Sequence, residues 1–190
     1  MLNKNYILIL MLSSACLFGQ SKFFDIVNSV KKEMNSKSYS LQLEKKCDIN
    51  KDGLTDEILL FNKDAHFSNE DDIETLDSPI YVILSTNKIF ENDKIIYTFI
   101  PNNSNLDNNI VTKSNYFTIE QTTGNGENKK TTYITFKFLN NKLFLHKYGS
   151  DTNYPKNDKL IKTTKIYNQK DFGNISFENF DIESINSSIK

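Results

Sequence analysis

The sequence predicts a mainly β (α+β) chain: a single antiparallel β domain with a short N-terminal amphipathic helix. Three observations carry that prediction. From Tyr39 onward the apolar residues come in short alternating or continuous runs, rich in β-branched and aromatic side chains and closed by Asn, Asp, Ser or Gly. Helical spacing occurs in one early stretch, and "TTYITFKFLNNKLFLHKYG" reads as a complete hairpin. A length of 190 residues with 38% hydrophobic content suits one domain with a real core.

In chain order, "MLNKNYILILMLSSACLFGQ" has an early charge at Lys4, an apolar run from Tyr6 to Leu12 and small residues beyond. This is the pattern of an export signal, too short for a permanent membrane span. Cleavage after Gly19 is the favoured end, giving a signal peptide over 1–19 and a domain over 20–190 that begins at Gln20. The closing "FGQ" resembles the end of many export signals of Bacteroidota. The alternative is a lipobox at "SSAC" with Cys16 lipidated, although Ser13 stands where a lipobox prefers leucine. Either end takes the chain out of the cytoplasm, to the periplasm or beyond, and leaves Cys47 without an intrachain partner.

Next, Phe23, Val27, Val30 and Met34 fall on one face of a helix around 22–35, expected to pack on the sheet. Lys31 and Lys32 sit near its end, where positive charge favours the helix dipole. "YSLQLE" puts Tyr39, Leu41 and Leu43 on one strand face, and "EILLF", "PIYVILST", "KIIYTFI" and "NYFTIEQ" read as further strands. In the hairpin, Asn140 and Asn141 supply a two-residue turn with left-handed backbone, which pairs Leu139 with Lys142, Phe138 with Leu143 and Phe136 with Leu145. Continued, that register pairs Thr135 with His146 and Tyr133 with Tyr148 on an outer, wetter face. "NKDAHFSNEDDIETLDS", "PNNSNLDNN" and "GSDTNYPKNDK" read as solvated loops, the acidic run Glu70, Asp71, Asp72 included. Two more short apolar segments flank Gly173.

Function classes narrow by composition. The net charge is −1 and no arginine occurs, so neither the field nor the bidentate donor that favours nucleic acid is present. The sequence has no G-x-S-x-G, no H-E-x-x-H and no P-loop, and "GNG" at 124–126 reads as a turn. Acidic neighbours would hold the Cys47 thiol protonated, against a nucleophilic role. No catalytic residue is therefore assigned.

The pattern with specific spacing is "CDINKDGLTDEILLF". A hard cation such as calcium takes six to eight oxygens. Asp48, Asn50 and Asp52 fit positions one, three and five of a calcium loop, Gly53 the sharp turn, the Leu54 carbonyl position seven and Asp56 position nine, directly or through water. Position twelve is Leu59 where an EF-hand has a bidentate glutamate, and a strand follows where an EF-hand has a helix. D-x-N-x-D-G-x-x-D before an apolar strand instead resembles the single calcium loops of FG-GAP and VCBS-type repeats. Over residues 39 to 150 the chain also looks like a group of exported Bacteroidota β-domain proteins. That resemblance implies a compact β domain with one cation loop and no known activity. The expectation is an exported, non-enzymatic binding or envelope-associated module whose partner is an envelope or secreted protein. A periplasmic inhibitor or immunity protein, and a hydrolase with unrecognised carboxylates, are the alternatives.

Overall fold

The computed structural model describes residues 21–63, 78–96, 105–157 and 159–189. The export-signal reading, Cys16 and the Glu70–Asp72 run lie outside the described residues, as does most of "KIIYTFI". Ile95 and Ile96 of that run are buried, but in a bend and not a strand.

A helix over 21–36 (α1) comes first, within a residue of its expected bounds. Among the described residues nine strands follow: β1 Tyr39–Cys47, β2 Asp56–Lys63, β3 Ile80–Ile83, β4 Ile89–Asn92, β5 Asn105–Lys113, β6 Tyr116–Asn125, β7 Asn128–Leu139, β8 Lys142–Lys156 and β9 Lys159–Asn168. They form two antiparallel sheets, ordered β1-β2-β3-β4 and β5-β6-β7-β8-β9. Every named neighbour pair is sequential, as in a meander.

Three layers result. Phe23, Val27, Val30 and Met34 of α1 are buried against Leu59, Phe61, Tyr81 and Ile83 on one face of the four-stranded sheet. Ile58, Leu60, Ile80 and Val82 on its other face meet the five-stranded sheet through Ile119, Ile134, Phe136 and Leu145. β2 and β3 are therefore covered on both sides. That is why "EILLF" and "PIYVI" are continuous apolar runs where a half-exposed strand would alternate. Each side chain so buried contributes roughly 1.5–3 kcal/mol before chain entropy is charged against it.

After β9 the chain turns through a short helix (α2, Gln169–Phe172), capped by Asn168, and Gly173, at φ +80°, ends it. A 3-10 turn (Phe177–Asn179) and a last helix (α3, Ile182–Ser188) follow. This segment closes one end of the sandwich. Phe177 and Phe180 set their rings edge-on to Phe136, at 5.0 and 5.5 Å between centroids. Buried Asn92 holds the segment to β4 by donating from Nδ2 to the Phe177 and Phe180 carbonyls.

Two bulges correct the period-of-two reading. In β1, Leu41 pairs with Phe61 and Leu43 with Leu60, so Gln42 is an extra residue. Tyr39 consequently packs toward α1, Leu43 toward the sandwich core, and Leu41 is exposed, so the three do not share a face. In the β7–β8 hairpin the expected pairs Leu139–Lys142, Phe138–Leu143 and Phe136–Leu145 are present, with Asn140 and Asn141 at φ +50° and +59°. Beyond them Thr135 pairs with Lys147 and Ile134 with Tyr148, because His146 is bulged out. Tyr148, expected outside, is 5% exposed and inside.

The loop assignments change as well. Residues 105–109 of "PNNSNLDNN" belong to β5, and in "GSDTNYPKNDK" residues 149–156 belong to β8 and Lys159 opens β9. Polar composition alone reads as loop. The ladders to β6, β7 and each other fix these residues as strand, since pairing partners outweigh local β propensity.

Candidate functional site

The 48–56 loop joins β1 to β2 across the antiparallel pair that Cys47 and Asp56 close. Lys51 and Gly53 take positive φ, +62° and +81°, and curl the loop back on itself. The expected turn at Gly53 is thus where the chain places it. The carboxylate of Asp48 accepts from the Asp52 and Gly53 amides, both at 3.1 Å. Asn50 Oδ1 accepts from the Asp52 amide at 3.0 Å, and Asp52 Oδ1 from the Leu54 amide at 2.8 Å. Asp52 Oδ2 takes the Asn50 side-chain amide at 2.8 Å and the Ser85 hydroxyl at 2.7 Å. These bonds hold the Asp52 carboxyl below its usual range, against the opposing effect of partial burial.

Asp56 differs from the other three. Its side chain is fully buried, with Oδ2 accepting from the Ile49 amide at 2.8 Å and the Asn50 amide at 3.2 Å. Oδ1 accepts from the Ser85 amide at 2.8 Å. Burial pushes this carboxyl up while the amides pull it down, and burial wins. Through these bonds Asp56 ties the β1–β2 loop to the turn between β3 and β4. Ser85 was not legible as a partner in the sequence, where "STN" signals only a turn.

The donor set suits a hard cation: Asp48, Asn50 and Asp52 side-chain oxygens with the Leu54 carbonyl on the same curl. In this structure those side-chain oxygens are bonded to the loop's own donors and, at Asp52, also to the Ser85 hydroxyl. Among the described residues, no three His, Cys, Asp or Glu side chains are gathered so as to hold a metal. Coordination would exchange the outer bonds of Asp48, Asn50 and Asp52 for metal contacts, while Asp56 kept its amides beneath the loop.

Cys47 is half-buried and free, and its thiol is pushed up to about 12 by burial first and then by Asp56 and Asp48. His146 lies half-buried on the outer face, 4.9 Å from the Tyr116 ring, with its pKa lowered by burial and then by Lys137 and Lys147. Among the described residues, neither belongs to a cluster of His, Cys, Asp and Glu that could hold a metal. A cavity of about 400 Å³ lies elsewhere, over β7, β8 and β9, and the described residues that line it are tyrosines, hydroxyl side chains, two lysines and Ile189. The sequence had read much of that region as loop.

No helix among the described residues is long and apolar enough to cross a membrane. No family model, curated protein or solved structure matches the chain.

Proposed function

We propose that this chain is an exported, non-enzymatic binding module built on a helix-covered β sandwich, with a structural calcium loop at the β1–β2 junction. The observation that carries the reading is the construction of the loop. Three oxygen-bearing side chains share one tight curl, and Asp56 beneath them is bonded both to that curl and to the β3–β4 turn. Ordering the loop therefore orders two hairpins at once. A cation there gathers Asp48 and Asp52, whose like charges repel, and its binding energy becomes folding energy. An affinity in the range of extracellular modules, on the order of 10⁻⁴ to 10⁻³ M, suffices outside the cell.

The test is thermal unfolding of chelator-treated protein with and without millimolar calcium. Wild-type protein is expected to gain several degrees, and Asp52→Ala to lose that gain while remaining folded. An unchanged wild-type melting temperature would refute the calcium role. Mass spectrometry of protein recovered from the envelope or medium is expected to give Gln20 as the first residue; a lipidated Cys16 overturns the cleavage site.

A further inference from the structure

The inner face of the five-stranded sheet changes character along its strands. Across β5 to β9 one row reads Ile110, Ile119, Ile134, Tyr148 and Tyr167, and the next Asn108, Gln121, Thr132, Ser150 and Lys165. The row after that ends in Lys130, Thr152 and Thr163. Apolar core therefore gives way, within two residues, to hydroxyls and ammonium groups. The cavity of about 400 Å³ sits over this second region, within the size range of small-molecule sites.

The bulge at His146 creates this lining. Without the extra residue, Tyr148, Ser150, Thr152 and Tyr154 would face outward. With it they all face the cavity, and Asp151 turns to the other side. Charges are thereby sorted by face. Outside, Asp151 pairs with Lys162 at 2.8 Å and takes the Thr164 hydroxyl. Inside, Lys130 and Lys165 have no carboxylate partner among the described residues.

We propose that this groove binds a short acidic saccharide, a chain of polyhydroxylated rings carrying carboxylate or sulfate groups. The tyrosines Tyr148 and Tyr167, stacked with centroids 6.3 Å apart, close one end, and Tyr154 stands at the other. Tyr148 is buried behind Tyr167, and the more exposed rings of Tyr167 and Tyr154 offer apolar faces to the C–H side of sugars. Ser150, Thr152 and Thr163 both donate and accept, which matches ring hydroxyls. Lys130 and Lys165 are two strands and two residues apart, roughly 12 Å between α-carbons from standard sheet spacings. That span lets the two ammonium groups meet separate acidic groups along a chain of rings. The chain's net charge of −1 and its lack of arginine argue against a nucleic-acid backbone as the occupant. The inference rests on the binding-module reading and gives it a ligand class; it does not depend on calcium.

The experiment is titration calorimetry of the purified full chain against four probes: an oligogalacturonate, a sulfated galactan oligosaccharide, a neutral cello-oligosaccharide and a single-stranded oligonucleotide. The first two arms separate carboxylate from sulfate. Binding to at least one of them, weakening as salt rises, is expected, and Lys130→Ala/Lys165→Ala should lower affinity about tenfold and flatten the salt dependence. Tyr154→Ala, at an exposed position, is expected to weaken binding about threefold with the melting temperature unchanged. No acidic-saccharide binding, equal binding of the neutral chain, tighter binding of the oligonucleotide, or an unaffected double-lysine variant overturns the proposal. Chromatography of the recovered saccharide keeps the two readings apart. Cleavage products would overturn the non-enzymatic reading and leave the groove assignment standing, whereas calcium stabilisation without saccharide binding does the reverse.

Discussion

Replacing Asp56 with alanine removes the acceptor for three backbone amides, those of Ile49, Asn50 and Ser85. A hydrogen bond to a charged acceptor is worth about 1.5–3 kcal/mol, and a buried amide left without a partner costs about 1–3 kcal/mol. Three such bonds give a gross loss of about 4.5–9 kcal/mol. Two terms offset it. The wild-type protein already pays to keep this carboxylate buried, as its raised pKa records. The Asn50 and Ser85 amides also lie nearer the surface and can recruit water. A net loss of about 3 kcal/mol remains, or a fall of about 6–12 °C in melting temperature for a domain of this size. Asp48→Ala is the control. Its carboxylate is only half-buried and serves amides of exposed residues, so about 1 kcal/mol is expected. Urea unfolding in chelator measures both without any contribution from calcium. If Asp56→Ala unfolds within 1 kcal/mol of wild type, or no earlier than Asp48→Ala, Asp56 is not the tie between the two hairpins.

Glu57 lies beneath α1, 2% exposed, with Lys31 at 3.9 Å and Lys46 at 3.8 Å. Burial first, and then Glu44, raise its pKa above the ordinary 4.5, the lysines pulling the other way. A carboxyl raised by folding takes up a proton as the chain folds, so its stabilising contribution is full below about 4.5 and is lost as pH climbs through the folded value. Glu57→Gln should therefore melt above wild type at pH 7, with the gap closing toward pH 4.5; a gap independent of pH would count against the buried-charge account. Cys47, with its thiol at about 12, should resist iodoacetamide at pH 8 in native buffer and react once the protein is unfolded in urea. Rapid alkylation of the native protein would contradict that.

The apolar pattern was enough to place α1 through Phe23, Val27, Val30 and Met34, and to place the β7–β8 turn through Asn140 and Asn141. Those features depend on residues within a few positions of one another. The curl at Gly53 was legible for the same reason, since a positive φ and alternating short polar side chains are local properties. The role of Asp56 was only half visible. Its spacing marked it as an oxygen donor, but nothing near residue 56 shows that Ser85 will lie 2.8 Å away.

What the sequence by itself determined is therefore the fold class, the helix that covers the sheet and the turn chemistry of the 48–56 loop. Tertiary structure decided the parity of the strands. A bulge is one residue without a partner, and whether Gln42 or His146 is that residue depends on pairing with β2 and β7, not on either residue's own preference. Each bulge reverses which side chains face inward from that point on. The second one turns Tyr148, Ser150, Thr152 and Tyr154 from an outer surface into the floor of a groove.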